Sequence, residues 1–498
     1  MLNKLILLLL TASAMASGAT RIVAGLTPDQ TGVEMWLSAG ALEPGAAKRR
    51  VLIVGGLNGS TSSAESVRSQ LDWFEKSPHR RNTALAAIPL ANPKSAPLLF
   101  PPTGDAYAAN TESHVLWRTI AAFAPDAVLI AGSDPAGLAA ALASKPSPFG
   151  AVAASSATLR EWFDAAPGVS EAHRRLRERL AAKPLDVARQ LARAYGHELP
   201  QVVYIPAVAL LARLRLGALA DVEGIAAPFV DGSRDSLEKA TSSHLSGHLL
   251  FTELYRSTKN PKYLERVRAA ADMGFTASGA MKESMPLHNE MSDSVFMGGP
   301  ILAAAGALTG ETKYFDMCVR HIRFMQKLGL RADGLYRHSP LDETAWGRGN
   351  AFPALGLALV LSDFPKNHPA RAELLAAFRA HIAALVERQE PDGAWRQIID
   401  LPGSYRELSA TAMIAFAMKR GIQRRWLEKA KYRRIVDRAW EAVKARTAAD
   451  GVLLDVCTST GKQKSRKDYL DRVAIFDRDP RGGAMVMLLA TEMAGLGK

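Results

Sequence analysis

One aspartate stands where an apolar helix ought to begin. Ser292-Asp293-Ser294-Val295-Phe296-Met297-Gly298-Gly299-Pro300 runs into the apolar stretch 301–308. On a helix, Asp293, Met297 and Pro300 fall at i, i+4 and i+7, which is one face. A carboxylate on a buried face is costly unless it is paired, caps the helix or does chemistry. The structural reading is an N-cap by Asp293 or Ser292, since both types favour that position. The chemical reading is a proton donor.

Four later loops bear on that choice. They are residues 334–338, ending in His338; 346–352, with Trp346, Arg348, Asn350 and Phe352; 392–397, with Trp395 and Gln397; and 404–413, with Tyr405. Each brings aromatic and hydrogen-bonding residues close to the start of an apolar helical pattern. Singly, each has an ordinary explanation. Trp346 and Trp395 could be core anchors, Arg348 could pair with Asp342 or Glu343, and His338 could be a satisfied loop histidine. His244 and His248 could share a helix face without binding anything. Together the loops describe a pocket with stacking faces and donors, which suits a sugar.

Helices must position these loops. Thr258-Lys259-Asn260-Pro261-Lys262-Tyr263-Leu264 is echoed by Thr309-Gly310-Glu311-Thr312-Lys313-Tyr314-Phe315, each between two helical patterns. A period of roughly fifty residues marks stacked helix pairs. The clustering of polar and aromatic residues at one set of loops argues for a closed toroid over residues 201–498. Before it, the runs 51–54 and 126–130 each end in a glycine turn, with helical patterns between and after them. These are the marks of parallel strands in an α/β domain over residues 19–200. The turn 55–60 lacks the spacing and lysine of a phosphate loop.

The chain has 498 residues, 48% hydrophobic and 22% charged, with a formal net charge of +13. That length implies more than one domain. The positive balance comes without a lysine-rich tail or an aromatic-basic ladder, so an acidic saccharide or general surface charge fits better than nucleic acid. Residues 1–18 have a basic start, an apolar run and small-x-small cleavage sites, and they predict export to a periplasm or the medium. No run is long enough to span a bilayer. Cys318 and Cys457, the only cysteines, could pair or be two buried thiols. Neither has metal-site spacing.

The ordered set Asp293-x-x-x-Met297-x-x-Pro300, His338, Trp346-x-Arg348-Gly349-Asn350, Trp395-x-Gln397 and Tyr405-x-Glu407-x-Ser409-Ala410 resembles glycoside hydrolase families 105 and 88. These are the unsaturated rhamnogalacturonyl and glucuronyl hydrolases, and the likeness covers residues 240–498. It implies an all-α (α/α)6 barrel and action on a Δ4,5-unsaturated uronic acid at the non-reducing end of lyase-generated oligosaccharides. The implied chemistry hydrates the double bond with Asp293 as general acid/base, and does not displace at the anomeric carbon. Arg348 or a backbone amide would hold the uronate carboxylate, Trp346 and Trp395 would stack on ring faces, and His338 would bond a hydroxyl. Asn350, Phe352, Gln397, Tyr405 and His244 complete the implied substrate-binding set, with no metal or cofactor; Tyr204 is a further pocket candidate. The chain departs from the pattern where a second family aspartate is expected, since Ser242 or Ser243 stands there beside His244. Phe352 replaces a more usual Trp.

The first domain resembles, over a short stretch, the zinc carboxypeptidases. Strand 51–54 and its turn 55–61, residues 100–104 and residues 125–130 look like landmarks of that family. Its ligand positions hold Asn58, Thr61 and Gly132, so the resemblance implies a degenerate domain without zinc chemistry. Two alternatives stand beside the hydrolase. One is a non-catalytic carbohydrate-binding protein, favoured by the missing aspartate; the other is a different sugar enzyme on the same toroid, an epimerase or polysaccharide lyase. The sequence leaves the oligomeric state open.

Overall fold

The structure is a computed structural model that describes residues 20–42, 49–145, 147–287 and 290–497. The expected export segment, residues 1–18, lies outside the described residues.

The first domain is a six-stranded sheet of β1 (Thr20–Leu26), β2 (Gly32–Leu37), β3 (Arg49–Gly55), β4 (Thr83–Ile88), β5 (Ala127–Ala131) and β6 (Ala153–Ser155), in the order β1-β2-β4-β3-β5-β6. β4, β3, β5 and β6 run parallel, while β1 and β2 form an antiparallel hairpin at one edge. Helices α1 (Thr61–Lys76), α2 (Thr111–Phe123), α3 (Leu138–Ser144) and α4 (Leu159–Asp164) cover it. β3 alternates between two cores, as a strand buried on both faces must. Leu52 and Val54 enter one core, and Val51 and Ile53 the other.

After α5 (Glu171–Ala181) the chain is helical. Outer helices α6 (Pro184–Leu191), α8 (Leu219–Ala226), α11 (Pro261–Asp272), α13 (Thr312–Gly329), α15 (Arg371–Val386) and α17 (Lys429–Ala445) alternate with inner ones. The inner helices are α7 (Tyr204–Arg215), α9 (Ser242–Gly247) continued by α10 (Leu249–Thr258), α12 (Ser294–Thr309), α14 (Gly347–Asp363), α16 (Leu408–Gln423) and α19 (Pro480–Met493). Each inner helix packs on the next, and α19 returns to α7, so the ring closes. Sequence explains the layering. α12 is buried without a break from Ser294 to Gly306. Before its last turn α17 buries only Tyr432, Val436, Ala439 and Trp440, one apolar stripe. No described helix is long and apolar enough to cross a membrane.

The expected boundary near residue 200 is displaced. α6 packs against α19, and Val187, Ala188 and Leu191 belong to the core of the ring. The helical domain therefore begins by Pro184, and α6 supplies the outer helix beside the closure. Inside the ring, Arg420 of α16 makes a two-point contact with Glu492 of α19, at 2.6 Å for each bond, and Arg215 of α7 reaches the same carboxylate at 3.4 Å.

Between α17 and α19 a hairpin of β7 (Leu453–Cys457) and β8 (Ala474–Asp477), with α18 (Arg466–Leu470) in its connection, folds over one end of the ring. The sheet domain docks there. Leu26 and Ala106 share a core with Trp346, Tyr405, Cys457 and Tyr469, and Tyr107 stacks on Tyr405 with ring centroids 4.8 Å apart. Cys318 and Cys457 are both buried free thiols.

Candidate active site

All six inner helices start at the hairpin-covered end, and hydrogen bonds tie their first turns together. Ser292 Oγ, just before α12, donates to the Gly349 carbonyl in α14 at 2.6 Å. Arg348 of α14 reaches Ser409 of α16 at 3.4 Å and the Cys457 carbonyl at 3.1 Å. Glu407, which caps α16, accepts from the Cys457 N–H at 3.0 Å. The α7 and α9 starts approach so closely that a Cβ on Gly247 would lie 2.0 Å from the Val202 carbonyl oxygen. The positive ends of these helices converge on one mouth, a setting that favours an anion.

Asp293 sits at that mouth, immediately before α12. Its backbone is already helical and its side chain makes no capping bond. The structural reading of the sequence therefore fails, because the carboxylate is free of cap duty. Its side chain is 14% exposed, and Oδ1 lies 3.4 Å from Nε2 of His338. Both atoms are buried and neither has a hydrogen-bond partner. Unsatisfied groups of this kind are uncommon in a folded interior, and at a mouth open to solvent they leave two bonding positions for an incoming molecule.

His338 is held on its other side. Its Nδ1 is 2.9 Å from the Tyr469 hydroxyl, and its ring meets Trp346 edge-on with centroids 4.6 Å apart. Its backbone carbonyl accepts from Ser292 N–H at 2.9 Å, which couples the histidine loop to the aspartate's turn. Tyr469 lies on α18, far away in sequence, and it was not among the residues that sequence singled out. Its one clue was its place near the end of an irregular, lysine-rich stretch.

Arg348 is buried beneath the mouth. It also reaches Ser459 Oγ at 3.1 Å, and its guanidinium lies 5.2 Å from the Trp346 ring centroid. Burial opposes its charge, but Cys457, Tyr204, Glu407 and Asp293 more than offset this and hold its pKa above the ordinary arginine value. A second arginine, Arg481, was also missed. It stands in the first turn of α19, pairs with Asp479, and is partly exposed with Nη1 3.5 Å from Ser459 Oγ. Tyr204 opens α7, with Phe296 and Phe352 packed edge-on against it. Its hydroxyl pKa is pushed up to about 12, first by burial; Asp293 and Asp479 act to raise it, Arg348 and Arg481 to lower it. Those four charged groups therefore surround one phenol.

The remaining sequence candidates are engaged within the protein, and their contacts differ from the expected roles. Trp395 is fully buried and its Nε1 donates to the Leu385 carbonyl at 2.7 Å, which makes it a core anchor. Trp346 is 1% exposed, so its ring offers no face to a sugar; it props His338 and Arg348. Asn350 is spent on backbone, with Oδ1 accepting from Tyr336 N–H and Nδ2 donating to the Tyr336 and Trp346 carbonyls. Phe352 stacks on Phe296 within the core. Gln397 is fully buried behind the histidine, where its Nε2 donates to the Tyr469 carbonyl at 3.0 Å. Tyr405 faces the sheet domain. His244 is in the first turn of α9 near the mouth, but its Nδ1 is taken by the Thr241 N–H at 3.0 Å, and burial lowers its pKa. Ser243, at the departed aspartate position, accepts instead from the Tyr204 N–H at 3.4 Å. Among the described residues, no group of three His, Cys, Asp or Glu is placed to hold a metal.

A closed helical ring with Asp293 Oδ1 and His338 Nε2 left without hydrogen-bond partners at its mouth suits a carbohydrate-active protein. The family model for Glycosyl Hydrolase Family 88 matches residues 219–496, more than half of the 498, and the chain belongs to that family. An unsaturated 3S-rhamnoglycuronyl hydrolase from Formosa agariphila is 29% identical over 173 residues, 30% of this chain and 45% of the relative. The unsaturated rhamnogalacturonyl hydrolase YesR of Bacillus subtilis is 26% identical over 243 residues, 45% of this chain and 68% of the relative. The chain spans about half the length of the first of these and of a second 3S-rhamnoglycuronyl hydrolase, from an Alteromonas species (45% and 50%). Among solved structures, a Family 88 hydrolase from Bacteroides vulgatus superposes with a TM-score of 0.54 at 17% identity, covering 63% of this chain and 98% of its own. A possible Family 105 member from Salmonella enterica gives 0.53 at 21% identity, covering 63% and 94%. These likenesses share the helical ring. The family match leaves the sheet domain outside, and the zinc carboxypeptidase resemblance draws no support from it.

Proposed function

We propose that this Family 88 protein is a hydrolase that removes a Δ4,5-unsaturated uronic acid from the non-reducing end of lyase-generated oligosaccharides. The observation that carries the proposal is the Asp293 carboxylate, uncapping and unbonded, 3.4 Å from His338 Nε2 at the convergence of six helix starts. Asp293 protonates C4 of the unsaturated ring. Water adds at C5 and gives up its proton to the carboxylate that Asp293 has become. The resulting hemiketal opens and releases the remaining saccharide. The uronate carboxylate is drawn to the mouth by the helix ends and by Arg481, with buried Arg348 behind it. His338 Nε2 bonds a substrate hydroxyl, and Tyr469 fixes its ring. The relatives, which are named for rhamnoglycuronyl and rhamnogalacturonyl substrates, support an acidic oligosaccharide, as does the +13 charge. We further propose that the protein acts after export, as its first eighteen residues suggest.

The test is the loss of the unsaturated-uronate absorbance with lyase-generated fragments of ulvan, pectin and glycosaminoglycan. Decay on one class names the substrate. No decay on any class, with fragments still bound, would replace this reading with a carbohydrate-binding one.

A further inference from the structure

A cavity of about 80 Å³ lies between the two domains, away from the mouth of the ring. Its walls come from both sides, with Met35, Val115 and Phe123 from the sheet domain and Tyr405, Arg406 and Arg446 from the helical one. One water needs about 10–15 Å³ of such space. The cavity therefore has room for a molecule of several heavy atoms.

Its charges do not balance. Four guanidiniums line it, those of Arg50, Arg118, Arg406 and Arg446, against two carboxylates, Asp392 and Asp455. Three of the arginines are paired. Arg118 bonds Asp455, whose oxygens also take the Tyr107 hydroxyl at 3.3 Å. Arg446 and Arg406 share Asp392 at 2.6 and 3.0 Å, and Arg406 also reaches Glu390 at 3.3 Å. Arg50 differs. It is 5% exposed, and its Nε donates to the Phe123 carbonyl at 2.8 Å. Its Nη1 is buried with no hydrogen-bond partner, while the guanidinium lies 4.3 Å from the Phe123 ring centroid. Asp126, the acid that acts on it, spends its oxygens on the backbone N–H of Arg50, the backbone N–H of Ser170 and His173 Nδ1.

We propose that the interdomain cavity is a binding site for a small monocarboxylate, with the Arg50 guanidinium as its counter-ion. A buried cation with no carboxylate hydrogen-bonded to its guanidinium is costly, and a carboxylate matches the guanidinium fork. The rest of the wall, including Ala24, Leu42 and Ala122, is largely carbon. It suits a compact apolar body better than a hydroxylated sugar or an inorganic ion. Burial also pulls the Arg50 pKa down to about 10, with Arg177 acting in the same direction and Asp126 against it, as expected of a cation awaiting a partner. A ligand held here touches both domains and would fasten one to the other.

The full chain would be titrated with butyrate at constant ionic strength, followed by calorimetry and thermal melting, alongside sulfate. The expected result is one saturable site and a rise of a few degrees in Tm with butyrate. Both should be lost in Arg50→Met and in Ala122→Leu, which fills the cavity and leaves every charge in place. If Arg50→Met fails to fold, Ala122→Leu decides alone. An equal shift in wild type and Ala122→Leu, an equal response to sulfate, or no saturable binding would overturn the proposal.

Discussion

Asp293 is more informative for the bond it does not make than for its place in the chain. Aspartates before helices usually cap them, and this one points its carboxylate at a histidine instead. The histidine in turn depends on Tyr469. Removing that hydroxyl in Tyr469→Phe should release the His338 ring and lower kcat about fivefold, the value of one hydrogen bond of about 1 kcal/mol. Little change in melting temperature should accompany it; an unchanged kcat would show that the ring is held without the bond. Asn350→Ala should behave in the opposite way. It loses three bonds to backbone, so stability should fall by about 2–4 kcal/mol in denaturant titrations while KM stays put. A raised KM with unchanged stability would return Asn350 to the substrate. At this scale the sequence discloses residue types and their order, but not what each side chain already bonds. Trp346 and Trp395 look alike as letters. One has an unpartnered Nε1 beside the site, and the other gives its N–H to Leu385 inside the core.

Elements were legible where the pattern was local. The turn echo at 258–264 and 309–315 matches the breaks between α10 and α11 and between α12 and α13, and the all-round apolar helices fall on the inner layer. What could not be read was which helix closes the ring. α6 has eight residues, three of them charged or amide-bearing, and only its contact with α19 assigns it to the barrel. The join of α9 and α10 holds a second local device. His248 is buried there; its Nδ1–H donates to the His244 carbonyl at 2.7 Å, and its Nε2 faces Ser236 Oγ at 3.0 Å. Burial lowers its pKa to about 4 from an ordinary 6.5. Between those values the unfolded chain holds a proton that the folded one lacks, so stability rises with pH. Acidification from pH 7 should cost up to about 3 kcal/mol, beginning below pH 6.5 and levelling off below pH 4. His248→Asn should flatten that slope in melting curves across the same range. An unchanged slope would assign the acid sensitivity elsewhere.

For the whole molecule, closure is the main requirement, because the six helix starts share one mouth only if α19 meets both α7 and α16. The buried Arg420–Glu492 contact stands at that seam. Arg420→Met leaves Glu492 with only the longer contact to Arg215, and it should cost about 3–5 kcal/mol. Denaturant unfolding checks this, and a loss below 1 kcal/mol would show that apolar packing alone closes the ring. The way the sheet domain covers the mouth loops was not legible either. Contacts such as Tyr107 on Tyr405 join residues some three hundred positions apart, with no periodic signal between them.

The most direct test of the central claim is turnover of a single Δ4,5-unsaturated uronyl disaccharide by wild type and Asp293→Asn, followed by absorbance, with melting curves of both proteins in parallel. The account predicts that kcat falls by about a thousandfold or more, within the range for loss of a general acid, while the fold is retained. Activity within tenfold of wild type in a folded Asp293→Asn protein would contradict it.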